Sequence, residues 1–337
     1  MTTLIPLFIF LALTLFSTPE AAHQDEAVNY WKSFYPTIPI PSLVSQHMSQ
    51  MSDDEINTVI TLFRTKTVSA NISLFCKTAG LICSADEIPK DLLIGSGHYM
   101  PSTITVEETK AVFFHESTLK KGTLFNMGEI KRERTPSKAF LPHSIASLLT
   151  LEQSGVLFQN TTVSDKMSMT INMCKTHIPG EIMKCTSSVE ELVQFSTQVF
   201  SDTRLKILHP KSADGAHTSV LFNNIRPLLR ENSNAKFLVC HELFFPYTVM
   251  YCHAAPIAQV YQVDLVHPKT RKKVNDDTIA VCHYIGTRPG GGGRVYYWWS
   301  PNENAISIFR TLPGNGGICH WLSTASIAFV HLDDTLV

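Results

Sequence analysis

The sequence predicts an α+β fold, mostly antiparallel β-sheet with disulfide-stapled strands and a few short helices. Three observations carry this prediction. The second half of the chain breaks into short β-branched or aromatic segments separated by Pro, Asn, Asp and Gly. Helix-opening sequences precede amphipathic runs at only a few places. The late cysteines Cys240, Cys252, Cys282 and Cys319 are each followed at once by a histidine.

A chain of 337 residues with 44% hydrophobic and 17% charged content is long enough to bury a full core. Its formal net charge of -1 leaves no field to attract nucleic acid, and the basic runs Lys131–Arg134 and Arg271–Lys273 are short and isolated. From Leu4 to Phe16 the chain is almost continuously apolar and is followed by small residues, which reads as a secretory signal peptide over residues 1–22. That run is shorter than the roughly 20 residues a membrane span needs, and no later segment reaches it. Passage through the secretory route makes the eight cysteines candidates for disulfides: Cys76, Cys83, Cys174, Cys185, Cys240, Cys252, Cys282 and Cys319. It also makes Asn71 and Asn160, each in an Asn-x-Ser/Thr triplet, candidates for glycosylation.

Residues 23–108 read as a variable N-terminal arm with a short helix. Asn29 to Pro41 is rich in aromatics and proline and is expected to be extended. Ser52-Asp53-Asp54-Glu55 offers a capping box ahead of Ile56, Val59, Ile60 and Phe63, which fall on one helical face. Beyond it, Cys76 and Cys83 are spaced to clip a small loop. The compact domain is placed at residues 109–337. Val112 to Phe114 reads as a buried strand and Pro142 to Leu151 as a helix entered through proline. Overlapping capping boxes at Ser187 to Glu191 open a second amphipathic helix. Strands are expected at Lys236–Cys240, Tyr247–Cys252, Val260–Val266, Thr278–Tyr284 and Ala305–Phe309.

In an extended strand, neighbouring side chains point to opposite faces, so each Cys-His pair presents sulfur on one side and imidazole on the other. Sulfurs that meet can staple strands, and the staples hold the imidazoles in register; four late cysteines allow three pairings. Grouped imidazoles without thiolates, in an oxidising setting, favour copper, whereas a zinc finger needs Cys and His to converge on one ion. Spacing alone leaves open a plainer reading, structural disulfides with hydrogen-bonded core histidines. No nucleophile elbow, HExxH or phosphate loop is present: Gly95-Ser96-Gly97-His98, His115-Glu116, His241-Glu242 and Gly290–Gly293 each lack a required residue.

The segment FLVCHELFFPYTVMYCH, Phe237 to His253, with ten residues between its two pairs, resembles the signature of the plant BURP domain. So do Phe113-Phe114, the stretch KAFLPHSIASLL from Lys138 to Leu149, the positions of Cys174 and Cys185, and Tyr30-Trp31-Lys32 after the signal. With no long repeats, the chain resembles the short, unknown-seed-protein type. The resemblance implies two copper centres with His241, His253, His283 and His320 as ligands. It implies a secreted protein of the apoplast, cell wall or vacuole, acting in seed or reproductive development or in stress responses, with copper and cell-wall components as partners. The alternative it implies is a copper- and dioxygen-dependent peptide cyclase crosslinking its own N-terminal peptide, with Trp31 as crosslink acceptor. Two family histidines are replaced here: Glu303 stands in the Trp299-Ser300-Pro301 segment, and Ser326 stands after the last pair. If either of these family histidines is a copper ligand, one implied centre is weak or empty.

Overall fold

The computed structural model describes residues 22–84, 113–126, 138–175, 182–200, 205–210, 219–228, 237–254, 258–283 and 317–331. Eight α-helices fall in these segments: α1 Ala22–Phe34, α2 Ser42–Gln46, α3 Asp53–Arg64, α4 Ile72–Thr78, α5 His143–Ala146, α6 Leu151–Leu157, α7 Ser164–Lys175 and α8 Val189–Val199. The strands are β1 Phe113–His115, β2 Leu124–Asn126, β3 Ile182–Thr186, β4 Leu205–Leu208, β5 Ser219–Pro227 and β6 Phe237–Leu243. They continue with β7 Val249–Ala254, β8 Ala258–Val266, β9 Lys273–His283, β10 Ile318–Trp321 and β11 Ser326–His331.

All pairings are antiparallel, in a six-stranded sheet ordered β1-β10-β9-β8-β5-β2 and a five-stranded sheet ordered β3-β7-β6-β11-β4. The two sheets pack face to face. Phe237, Val239, Ala328 and Val330 of the five-stranded sheet meet Val260, Ile279 and Val281 of the other. On its opposite face the five-stranded sheet presents Leu238, Cys240, Met250, Cys252, Ile327 and Phe329 to α1 and α8. Strand β6 is therefore covered on both sides and is buried at every position. The outer face of the six-stranded sheet carries an aromatic cluster in which Phe114, Phe125 and Phe222 surround Trp321. A fourth core joins α3 to α7 with Phe245, Tyr247 and Val249.

Local sequence accounts for several of these boundaries. Ser52 accepts from the Glu55 amide while the Glu55 carboxylate accepts from the Ser52 amide, closing the expected box at α3. That pairing, together with the Ser52 hydroxyl, holds the Glu55 carboxyl below its usual range. At α8, Ser188 accepts from the Glu191 amide and the Glu191 carboxylate accepts from the Ser187 amide, so the two serines divide the capping work. The stretch from Pro142 to Leu151 is not one helix. It splits into α5 and α6 because Thr150 and Gln153 form a reciprocal capping box of their own, starting a new helix where the first would have continued. α6 packs against α7 at Gly155, where a Cβ would lie 2.8 Å from Ile171 Cδ1 and would push that methyl aside.

The N-terminal arm departs most from expectation. Asn29 to Phe34 belongs to α1, and only the segment from Tyr35 to Pro41 is non-helical. Pro36 cannot continue a helix and pushes Tyr35 before it toward extended backbone, but the residues ahead of Tyr35 escape that restriction. Tertiary contacts then decide. Trp31 and Tyr35 are fully buried against α8 and the five-stranded sheet. The Trp31 indole donates to the Ile38 carbonyl at 3.0 Å, and the Tyr35 hydroxyl lies 2.7 Å from the Ser196 hydroxyl. Removing about 200 Å² of aromatic surface from water contributes up to roughly 5 kcal/mol, more than the small difference in local propensity. The expected signal peptide up to residue 21, the Ala305–Phe309 strand, Tyr284, Trp299 and Glu303 lie outside the described residues.

Candidate metal centre

The eight cysteines form four disulfides: Cys76–Cys83, Cys174–Cys185, Cys240–Cys252 and Cys282–Cys319. Register explains the two late pairs. Cys240 stands directly opposite Cys252 on β6 and β7, and Cys282 directly opposite Cys319 on β9 and β10. Each staple thus joins neighbouring strands within one sheet. In both cases the sulfurs face away from the space between the sheets. Cys240 and Cys252 sit in the core against α1 and α8, while Cys282 and Cys319 sit under the aromatic cluster of the other sheet.

Strand alternation turns the following histidines the other way, so imidazoles from two different sheets enter the same inter-sheet layer. His241 lies in register with Ser326 of β11 and Tyr251 of β7, His253 with Val239, and His320 with Val281. All three histidines are buried. The Nε2 atoms of His241 and His253 are 3.4 Å apart, with ring centroids separated by 5.5 Å. His320 flanks them from the opposite sheet, its ring centroid 6.4 Å from that of His241. Among the described residues no three His, Cys, Asp or Glu side chains are already grouped at ligand spacing; the His241–His253 pair is the close contact. His283 lies on β9 two residues beyond Val281, opposite Ile318 and Ala258, and its side chain is outside the described residues.

The outward nitrogens of His241 and His320 are held by protein oxygens. His241 Nδ1 lies 3.0 Å from the Ser326 hydroxyl, and His320 Nδ1 lies 3.2 Å from the Trp321 carbonyl, to which it donates. Burial pushes the His320 imidazole down to about 4, with the neighbouring His253 adding to the effect and the Trp321 carbonyl opposing it. His320 is therefore neutral at ordinary pH. Two imidazole nitrogens 3.4 Å apart fit a single ion about 2.0–2.1 Å from each. A nitrogen-only donor set in which the second ring nitrogens of His241 and His320 are tied to oxygens has the chemistry of a copper or zinc site.

On the far side of β6 lies a second polar group. Lys138 Nζ is 2.8 Å from Glu242 Oε1 and donates to the Leu243 carbonyl at 3.1 Å, both side chains being buried. Burial also lowers the His47 imidazole, the nearby Glu242 opposing the shift. The signal for this cluster was visible only as a lysine and a glutamate inside apolar stretches.

The other expected sites are dispersed. Trp31 lies in the helix-facing core. Asn160 is exposed after α6, whereas Asn71 is partly covered and its amide donates to the Thr67 carbonyl at 2.9 Å. The residue that strand reading alone passed over is Ser326. It entered the sequence argument as a missing histidine, and only the β6–β11 register puts it beside His241.

Residues 112–331 match the family model for the BURP domain. The chain is similar to BURP domain-containing protein 16 of Oryza sativa subsp. japonica, with 26% identity over 96% of this chain and 97% of that protein. It is also similar to polygalacturonase 1 beta-like protein 2 of Arabidopsis thaliana, with 29% identity over 64% of this chain and 34% of that protein. With the polygalacturonase-1 non-catalytic subunit beta of Solanum lycopersicum it shares 26% identity over 62% of this chain and 32% of that one. It thus spans about a third of the length of these polygalacturonase-type relatives. Among the described residues no helix is long and apolar enough to cross a membrane. With the matched region taking in both sheets and every late Cys-His pair, the chain belongs to the plant BURP-domain family.

Proposed function

We propose that this chain is a secreted, cell-wall-associated accessory protein, without catalysis of its own, whose inter-sheet histidines bind copper. The observation that carries the metal reading is the 3.4 Å approach of the His241 and His253 Nε2 atoms in a layer closed to water. His320, and His283 by the family resemblance, complete the donor set. A bound copper ion would supply a Lewis-acidic, redox-capable centre between the sheets. The histidines would fix its position, and the two late disulfides would hold the histidines.

The wall address and a protein partner are supported by relatives named as non-catalytic subunits of polygalacturonase, an enzyme whose substrate is a wall polymer; those names favour the wall over the vacuole. Self-cyclisation through Trp31 draws no support from the fold, because that indole is buried and already donates to Ile38. Cyclisation would require α1 to leave the core.

The test is copper content per chain in protein purified from the secretory route, dialysed free of loose ion. Wild type should retain copper. His241→Ala and His253→Ala should each lose most of it while keeping the circular dichroism of the parent. Copper retained in both variants would end the assignment. For the partner, purified chain and a plant polygalacturonase should co-elute on size exclusion; separate elution at micromolar concentration would rule out a stable complex.

A further inference from the structure

We infer that Ser326 is a positioning residue for the centre: with Ser323 it fixes the proton of His241 on Nδ1 and so leaves Nε2 bare toward His253. This inference rests on the metal reading above for its consequence, but the hydrogen-bond argument stands by itself.

Two contacts of the His241 ring differ in quality. Its Nδ1 lies 3.0 Å from Ser326 Oγ, an ordinary hydrogen-bond distance. Its Nε2 lies 3.4 Å from His253 Nε2, beyond the usual N–H range but suited to two nitrogens sharing an ion. A neutral imidazole carries one N–H, and that hydrogen goes to the better acceptor. Ser326 Oγ is buried and lies 3.1 Å from Ser323 Oγ, so its own hydrogen has somewhere to go. The chain of donors then runs His241 Nδ1–H to Ser326 Oγ–H to Ser323 Oγ.

The backbone fixes the serine as well. The Ser326 amide donates to the Ser323 carbonyl at 3.1 Å, closing the turn that enters β11. Ser326 then stands in register with His241. His209 Nδ1, 3.2 Å from the Ser326 carbonyl, ties the same residue to the end of β4. Ser326 is consequently held from three directions, and its hydroxyl has little freedom to turn elsewhere. The position where a histidine is usual in the family has here become an outer partner of a ligand. Such partners commonly account for 10- to 100-fold in metal affinity.

The test reads the ring directly and the ion separately. Nitrogen-15 NMR of the metal-free protein near neutral pH should show His241 protonated at Nδ1 and bare at Nε2. Ser326→Ala, which removes one oxygen and should fold, should shift His241 toward the other tautomer or a mixture; Ser323→Ala should do so less, and Ser326→Thr should retain the parental pattern. In a competition titration with Cu(II), Ser326→Ala should bind 10- to 100-fold more weakly than wild type, with altered nitrogen hyperfine coupling, and Ser326→Thr should recover most of the loss. A wild-type His241 protonated at Nε2, or a Ser326→Ala protein unchanged in both tautomer and affinity, overturns the inference. Failure of the wild type to bind copper would instead defeat the metal reading, and the tautomer measurement would still decide the role of Ser326.

Discussion

The two sheets use the same dipeptide in different settings. In the five-stranded sheet, Cys240-His241 and Cys252-His253 lie on adjacent strands of one hairpin, and their disulfide spans 12 residues. In the six-stranded sheet, Cys282 on β9 and Cys319 on β10 are 37 residues apart. The hairpin brings its two imidazoles together by local geometry, and its sulfurs point into a helix-covered core. The other staple draws a distant strand into the sheet, and its sulfurs lie among aromatic residues. A motif repeated in sequence thus does two jobs: one pair of pairs builds the close nitrogen contact, while the other delivers His320 to it from across the interface.

The chain-entropy model makes the difference measurable, because a longer closed loop constrains the unfolded chain more. Cys282→Ala with Cys319→Ala should cost about 4 kcal/mol in denaturant unfolding, the largest effect expected. Cys240→Ala with Cys252→Ala should cost about 3 kcal/mol by the same relation, since its loop is shorter. A reversed order would show that packing of the hairpin sulfurs against α1 and α8 outweighs loop length.

Acidification probes the contribution from the six-stranded sheet. The His320 imidazole has its folded value depressed to about 4, below the ordinary value of an unfolded chain. Between these values the unfolded state binds more protons, so stability must fall as pH is lowered through about 6.5 and level off only near 4. From pH 7 to 5 the metal-free protein should lose about 2 kcal/mol from this residue, and His320→Gln should remove that slope. A slope unaltered in the variant would assign the acid sensitivity to other groups. The smallest expected effect lies outside both sheets: Thr150→Ala, which opens the capping box of α6, should cost about 1 kcal/mol in thermal or denaturant unfolding.

Much of the candidate site was legible before the fold was known. Alternation along a strand already separated sulfur from imidazole, and the structure places them on opposite sides of each sheet. The helix starts at Ser52 and near Ser188 were legible because a capping box is completed within four residues. The break at Thr150 was equally local and shows in the triplet spacing to Gln153. The helix over Asn29 to Phe34 was not legible, because the prolines beyond it argue for extension and the burial of Trp31 and Tyr35 depends on α8, more than 150 residues later.

What the sequence by itself determined is therefore everything that turns on near neighbours: the β-rich second half, the opposed faces of each Cys-His pair, the helix caps, and the family membership that their spacing carries. The tertiary structure decided which of three cysteine pairings forms, that imidazoles from two separate sheets face one another, and that a serine stands against His241. Those outcomes depend on strand order and register across distant parts of the chain. Register is selected by which apolar faces can be buried together, and that choice exists only once the sheets have stacked.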